Sequence, residues 1–188
     1  MNNGYCIIDA HCHIYPAKIA ARAAAGIGTF YRTKSACGGT AEELLRRADA
    51  CGIDRFIVES VATSAHQVRD INEFIAAEVA AAGGRFFGLG TLYPDSPDLV
   101  GDYRHLRELG LHGIKLHPDI QGFKIDDFRC LRIYEMCEAD GLPILMHTGD
   151  SRYDYSNPNR LIPILRIYTG LKLIAAPWGS RQTPRFST

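Results

Sequence analysis

Short, almost uninterrupted apolar runs alternate along the chain with segments whose apolar positions recur every three or four residues, and glycine closes most of the latter. The runs predict strands within 7–16, at 55–60, 86–92, 113–117 and 143–147, and from 171 to 176. The periodic segments predict helices between them. An Ala-rich helix spans 16–25 and is ended by Gly26, and residues 27–39 read as loop. Thr40 as N-cap and Glu43 at the third helical position form a capping box, with Leu44, Leu45, Ala48 and Cys51 as one stripe and Gly52 as the stop. Ile71, Phe74, Ile75, Val79 and Ala82 mark the next helix, and further helices follow at about 98–109, 127–140 and 158–168.

Strands that are apolar on both faces, alternating with amphipathic helices every 28 to 35 residues or so, specify a parallel sheet covered by helices. Polar residues collect just after the strands, in the loops where α/β folds place their chemistry. Three strands close on histidine: Asp9-Ala-His11-Cys-His13, Lys115-Leu-His117 and His147-Thr-Gly-Asp150. Residues two apart on a strand share a face, so Asp9, His11 and His13 are expected on one side and Ile8, Ala10, Cys12 and Ile14 on the other. His117 shares the parity of Lys115 and is expected to face the same cavity. An isolated His-x-His arises often by chance, but three strand ends of this kind point to a metal site. No Gly-x-Gly-x-x-Gly follows the first strand, which demotes nucleotide binding and favours a (β/α)8 barrel.

The remaining composition narrows the partners. With 188 residues, 46% of them hydrophobic, the chain suffices for one domain with a core. Basic and acidic residues balance at 21 each, so no nucleic-acid or membrane partner is expected. No apolar run approaches the ~20 residues of a membrane span, and the N-terminus lacks a signal-peptide pattern, which makes a cytoplasmic location the default. The six cysteines form no C-x-x-C pair and read as reduced packing residues.

These motifs, in this order and at these strand ends, resemble the amidohydrolase superfamily, in particular the amidohydrolase-related group of metal-dependent hydrolases and non-oxidative decarboxylases. The resemblance runs from residue 5 to about 176. It implies that His11, His13 and His147 hold one divalent metal, zinc first, and that Lys115 stands where two-metal members carry a carboxylated lysine. Lys115 and His117 are the candidate catalytic residues. Tyr93, Asp150, Arg152 and Tyr155, in the loops after strands three and five, are candidates to hold a small-molecule substrate. Three protein ligands leave a position for water, whose pKa falls to about 7 on zinc, and attack on an amide, ester or lactone carbonyl is the expected reaction. Decarboxylation of a small aromatic acid is the alternative, favoured if Arg152 grips a carboxylate. A non-catalytic binding remnant is the alternative of another class.

The sequence departs from the family at its end. The strand-six turn that carries a histidine in the family reads Ala175-Ala-Pro177-Trp-Gly here, and the strand-eight aspartate has no counterpart. Residues 1–176 therefore read as about six of eight βα units and 177–188 as an aberrant tail, out-of-frame in composition. Open strand edges predict strain, self-association into a homo-oligomer and weak metal binding.

Overall fold

The computed structural model describes residues 4–34 and 37–177; the tail beyond Pro177 lies outside them. Among the described residues, seven strands run parallel in two hydrogen-bonded groups, β1-β2-β3 and β4-β5-β6-β7. They are β1 (Ile8–His13), β2 (Arg55–Glu59), β3 (Phe86–Gly88), β4 (Gly90–Thr91), β5 (Ile114–Leu116), β6 (Ile144–Thr148) and β7 (Leu173–Pro177). The single strand expected over 86–92 is thus divided at Leu89, whose N–H still donates to Val58 while Gly90 donates to Gly113, so the wall continues across the break. Gly90 permits this, since a Cβ there would lie 2.4 Å from a Leu106 methyl carbon. The architecture is that of an incomplete TIM-type barrel, with five βα units and a sixth strand among the described residues.

Seven α-helices among the described residues cover the strands: α1 (Ala17–Tyr31), α2 (Ala41–Cys51), α3 (Val68–Ala81), α4 (Leu99–Glu108), α5 (Pro118–Gln121), α6 (Leu131–Ala139) and α7 (Leu161–Ile167). Thr40 caps α2 by accepting the Glu43 N–H, and Gly52 ends it with φ 70°. The Glu43 carboxylate turns instead to the Gly38 N–H and to Arg47, so only half of the expected box forms. Ile114, Leu116, Ile144 and Met146 are fully buried against the helices, and the alternate positions Lys115, Leu145 and His147 face inward.

Two local expectations are corrected. The first helix does not stop at Gly26; it runs through Gly26 and Gly28 to Tyr31 and ends at Arg32 in the left-handed region, φ 55°. Ile19, Ala23, Ile27 and Tyr31, each partly buried, lie at helical spacing along one cavity-facing stripe that carries the helix past two glycines, which cost about 1 kcal/mol each. In β1 the register slips, Asp9 pairing with Phe56 and Cys12 with Val58, so one extra residue sits between them. This bulge breaks the alternation upstream of His11, and Asp9 is exposed, accepting the His11 N–H.

Candidate metal and active site

The strand ends bring His11, His13, His117 and His147 onto one cavity of about 950 Å3. Its other walls are largely apolar, with Ile19, Ile27 and Phe30 from α1 and Ile71 and Phe74 from α3. β2 supplies a residue the sequence analysis missed. Glu59 pairs in register with His13, and residues in register on neighbouring strands project from the same face. Its Oε1 lies 3.0 Å from His11 Nε2, 3.5 Å from His13 Nε2 and 3.4 Å from Lys115 Nζ, and the side chain is fully buried. Lys115 Nζ is also 3.1 Å from His11 Nε2. The only sequence signal was one carboxylate closing an apolar run.

Across the cavity, the register Leu116↔Met146 sets the residues that follow side by side. The His117 and His147 rings stack at 3.9 Å and 10°. Asp119, at the start of α5, places its Oδ2 3.7 Å from His147 Nε2. Tyr31, on the last turn of α1, puts its hydroxyl 2.7 Å from His117 Nε2 and 3.4 Å from His147 Nε2. Gln121 fixes this corner by accepting the His117 N–H and donating to the Ala62 and Leu92 carbonyls. Asp119, Gln121 and Tyr31 carried no sequence signal beyond their residue type.

Among the described residues, donor atoms that could hold a metal ion therefore gather in two sets, His11-His13-Glu59 and His117-Asp119-His147. The three histidines expected to share one ion are divided, two in the first set and His147 in the second. The residues fit a divalent cation: His13 Nδ1, both Glu59 oxygens and Asp119 Oδ2 are buried without a hydrogen-bonding partner. Bare buried carboxylate oxygens are costly unless an ion or a proton meets them.

Burial holds the charge states that coordination needs. It depresses His13 and His147 to about 4, leaving both neutral with free lone pairs at pH 7. Burial lowers His117 further, with His147 and Lys115 adding to the effect. Lys115 is pulled below the usual lysine range by desolvation, opposed by Glu59. Desolvation would raise Glu59, but His11, Lys115 and His13 outweigh it and keep the carboxyl below its ordinary value.

None of the four expected substrate residues lines the cavity itself, but Arg152 lies over the rings of two residues that do, Phe30 and Tyr31. Arg152 is bound by Asp150 at 2.6 Å, and its guanidinium covers the Phe30 ring at 4.7 Å. Tyr155 is exposed and stacks on Tyr153, and Tyr93 is half-buried against the core. The carboxylate grip of Arg152 is thus taken up by an internal partner. No helix among the described residues is long and apolar enough to cross a membrane.

Similarity to known proteins accords with this geometry. Over 79 residues the chain is 33% identical to a 2-amino-3-carboxymuconate-6-semialdehyde decarboxylase of Dictyostelium discoideum, covering 41% of this chain and 22% of that one. A TIM-barrel protein of Bordetella bronchiseptica superposes with a TM-score of 0.71 at 19% identity, over 91% of this chain and 66% of that one. A 5-carboxyvanillate decarboxylase of Novosphingobium aromaticivorans, solved with manganese, superposes at 0.67 and 19% identity, over 92% of this chain and 65% of the other. At such identities the superpositions establish the fold, and the chain spans about two thirds of the length of these structures. The amidohydrolase family profile, by contrast, matches residues 8–180, nearly the whole sequence, and the chain belongs to the amidohydrolase family.

Proposed function

We propose that the chain carries the metal-binding part of a metal-dependent hydrolase acting on a small amide, ester or lactone, with His11, His13 and His147 as nitrogen ligands and zinc as the ion. When bound, such an ion polarises a carbonyl oxygen and lowers the pKa of water. The chain's own residues supply the rest. Glu59 carries the reading: a buried carboxylate beside His11 and His13, whose Oε2 makes no hydrogen bond, is suited to take a proton at that oxygen from an attacking water. Lys115 holds that carboxylate ionised and in place through its 3.4 Å contact. The apolar walls exclude bulk water and accept the body of a flat or aliphatic substrate.

Decarboxylation of a small aromatic acid is the second reading. It is supported by the decarboxylases among the similar proteins and by the apolar cavity, and it has no need of Glu59 as a base. The two part on one experiment. The chain is loaded with zinc or manganese and assayed on lactones and amides, and on carboxylated phenols with detection of CO2, beside Glu59→Gln. The hydrolase reading expects acid release that falls about 100-fold or more in Glu59→Gln with metal content retained. CO2 release that survives Glu59→Gln replaces it with the decarboxylase, and a chain that binds no divalent metal at pH 7.5 overturns both.

A further inference from the structure

His117 and His147 are only 3% and 2% exposed, whereas the His11 and His13 side chains on the same cavity are about a third open. The last turn of α1 covers the first pair. Phe30 stands edge-on to the His117 ring at 6.1 Å and 88°, and the Tyr31 ring lies 6.2 Å from His117 and 6.1 Å from His147. Burial does little to keep that turn in place, since of the fifteen residues of α1 only Ala20 and Gly28 are buried. The turn also follows Gly26, where an added Cβ would meet nothing within 4 Å. Close packing does not require a glycine there, and a glycine inside a helix weakens it.

From outside the site the turn is held by Arg152, in the loop that follows β6. The Asp150 carboxylate takes Arg152 Nε at 2.9 Å and Nη2 at 2.6 Å, a two-point grip that fixes the plane of the guanidinium. Nη1 donates to the Phe30 carbonyl. The guanidinium lies over the Phe30 ring at 4.7 Å and the Tyr31 ring at 5.4 Å, and Phe30 stacks on Tyr153 at 5.7 Å and 16°. The loop is itself rooted on β6. The Gly149 N–H donates to the Ser156 carbonyl and the Asp150 N–H to the Ser156 hydroxyl, and Ser156 is fully buried. Asp150 follows His147 by three residues, so the strand that carries His147 also carries the hold on its cover.

We propose that Arg152 is a positioning residue that latches the end of α1 over His117 and His147, and that release of this turn, with Phe30 and Tyr31 on it, opens that half of the cavity to a ligand. Arg152 acts through the two rings it covers and touches no ligand itself. Its side chain is 31% exposed, so its stacking contacts are of the weaker, hydrated kind, and a latch of that strength can release without unfolding the barrel. The inference stands apart from the metal reading above, because no contact of the latch uses a metal-binding atom and the metal-free protein suffices to test it.

The test follows acylation of single histidines by diethyl pyrocarbonate at pH 7.5, read by mass spectrometry on the metal-free chain, Arg152→Met and Gly26→Ala. Arg152→Met removes the charge and the donor but keeps an unbranched stem, and His117 and His147 should react roughly 10-fold faster. Gly26→Ala strengthens the helix in open space and should slow both by roughly 3- to 5-fold. His66, exposed in the loop after β2, should react alike in all three. Unchanged rates at His117 and His147 in Arg152→Met overturn the proposal, and so do unchanged or faster rates in Gly26→Ala. Amide exchange separates a latch from general loosening: faster exchange in Arg152→Met confined to residues 27–32 supports the latch, and an equal gain across β6 makes Arg152 merely structural and overturns it. Phe30→Leu completes a cycle. If Arg152 acts through that ring, the substitution should change the rates less in Arg152→Met than in the parent chain, and additive effects on the logarithm of the rate overturn that route.

Discussion

The cavity's two histidine-bearing walls are built differently. On the β5–β6 side each strand has a neighbour on both edges, Ile114, Leu116, Ile144 and Met146 are fully buried, and His147 and His117 are only 2% and 3% exposed. On the β1 side the strand pairs with β2 alone among the described residues, Ile8 is 49% exposed, and the His11 and His13 side chains remain about a third open. One wall is thus positioned by packing and the other by a single ladder and a buried carboxylate. The difference teaches that Glu59 and Lys115 stand in for a missing layer of packing: they meet His11 and His13 from the inside, where the sheet's outer edge gives no support.

The largest effect that can break this contrast is at Lys115. Lys115→Met removes the buried cation while Glu59 stays fully buried beside it, and stranding one partner of a buried pair costs about 3–5 kcal/mol. Urea unfolding of the metal-free protein should show that loss, with Lys115→Met/Glu59→Gln regaining most of it. A loss under about 1 kcal/mol would mean that water reaches Glu59 through the β1 edge, making that wall looser still.

Acid titration gives a smaller and sharper reading. His13 and His147 are held neutral by burial to about 4, while in the unfolded chain a histidine titrates near 6.5. Between these values the unfolded state binds more protons, so the stability of the metal-free protein rises with pH through this window and is flat above it. The urea midpoint should therefore fall between pH 7 and pH 5. His147→Gln, on the closed wall, should shrink that fall more than His13→Gln on the open one, and the reverse order would contradict the division of the cavity.

Much of this was legible in the sequence because the relevant physics is local. Thr40, Gly52 and the apolar stripes place α2 and the strands, and the four strand-end histidines lead to one cavity. What was not legible depends on neighbours distant in sequence. Glu59 becomes a site residue only because β2 pairs with β1 in a register that sets it beside His13. Asp9 leaves the site because of a one-residue bulge that alternation cannot foresee. Tyr31 was hidden by two glycines that signal the end of a helix, whereas the cavity-facing stripe from Ile19 to Tyr31 carries the helix past them. Arg152 read as a candidate grip for a substrate carboxylate, and its pairing with Asp150 two residues earlier was not foreseen.

The smallest expected effect lies on the β1 edge itself. Ile8→Ala removes a side chain that is half exposed and has packing on one side only, so the loss should be about 0.5 kcal/mol or less, the ordinary range for a surface position. A fully buried isoleucine truncated in the same way would cost about 2–5 kcal/mol. The measurement discriminates because β1 begins at Ile8, which like the preceding Ile7 is exposed, and has the two histidines of the site among its last three residues. If Ile8→Ala costs more than about 2 kcal/mol, this face is covered in solution. Sedimentation at several concentrations would then show self-association that the substitution weakens, and His11 and His13 would be as firmly supported as His147.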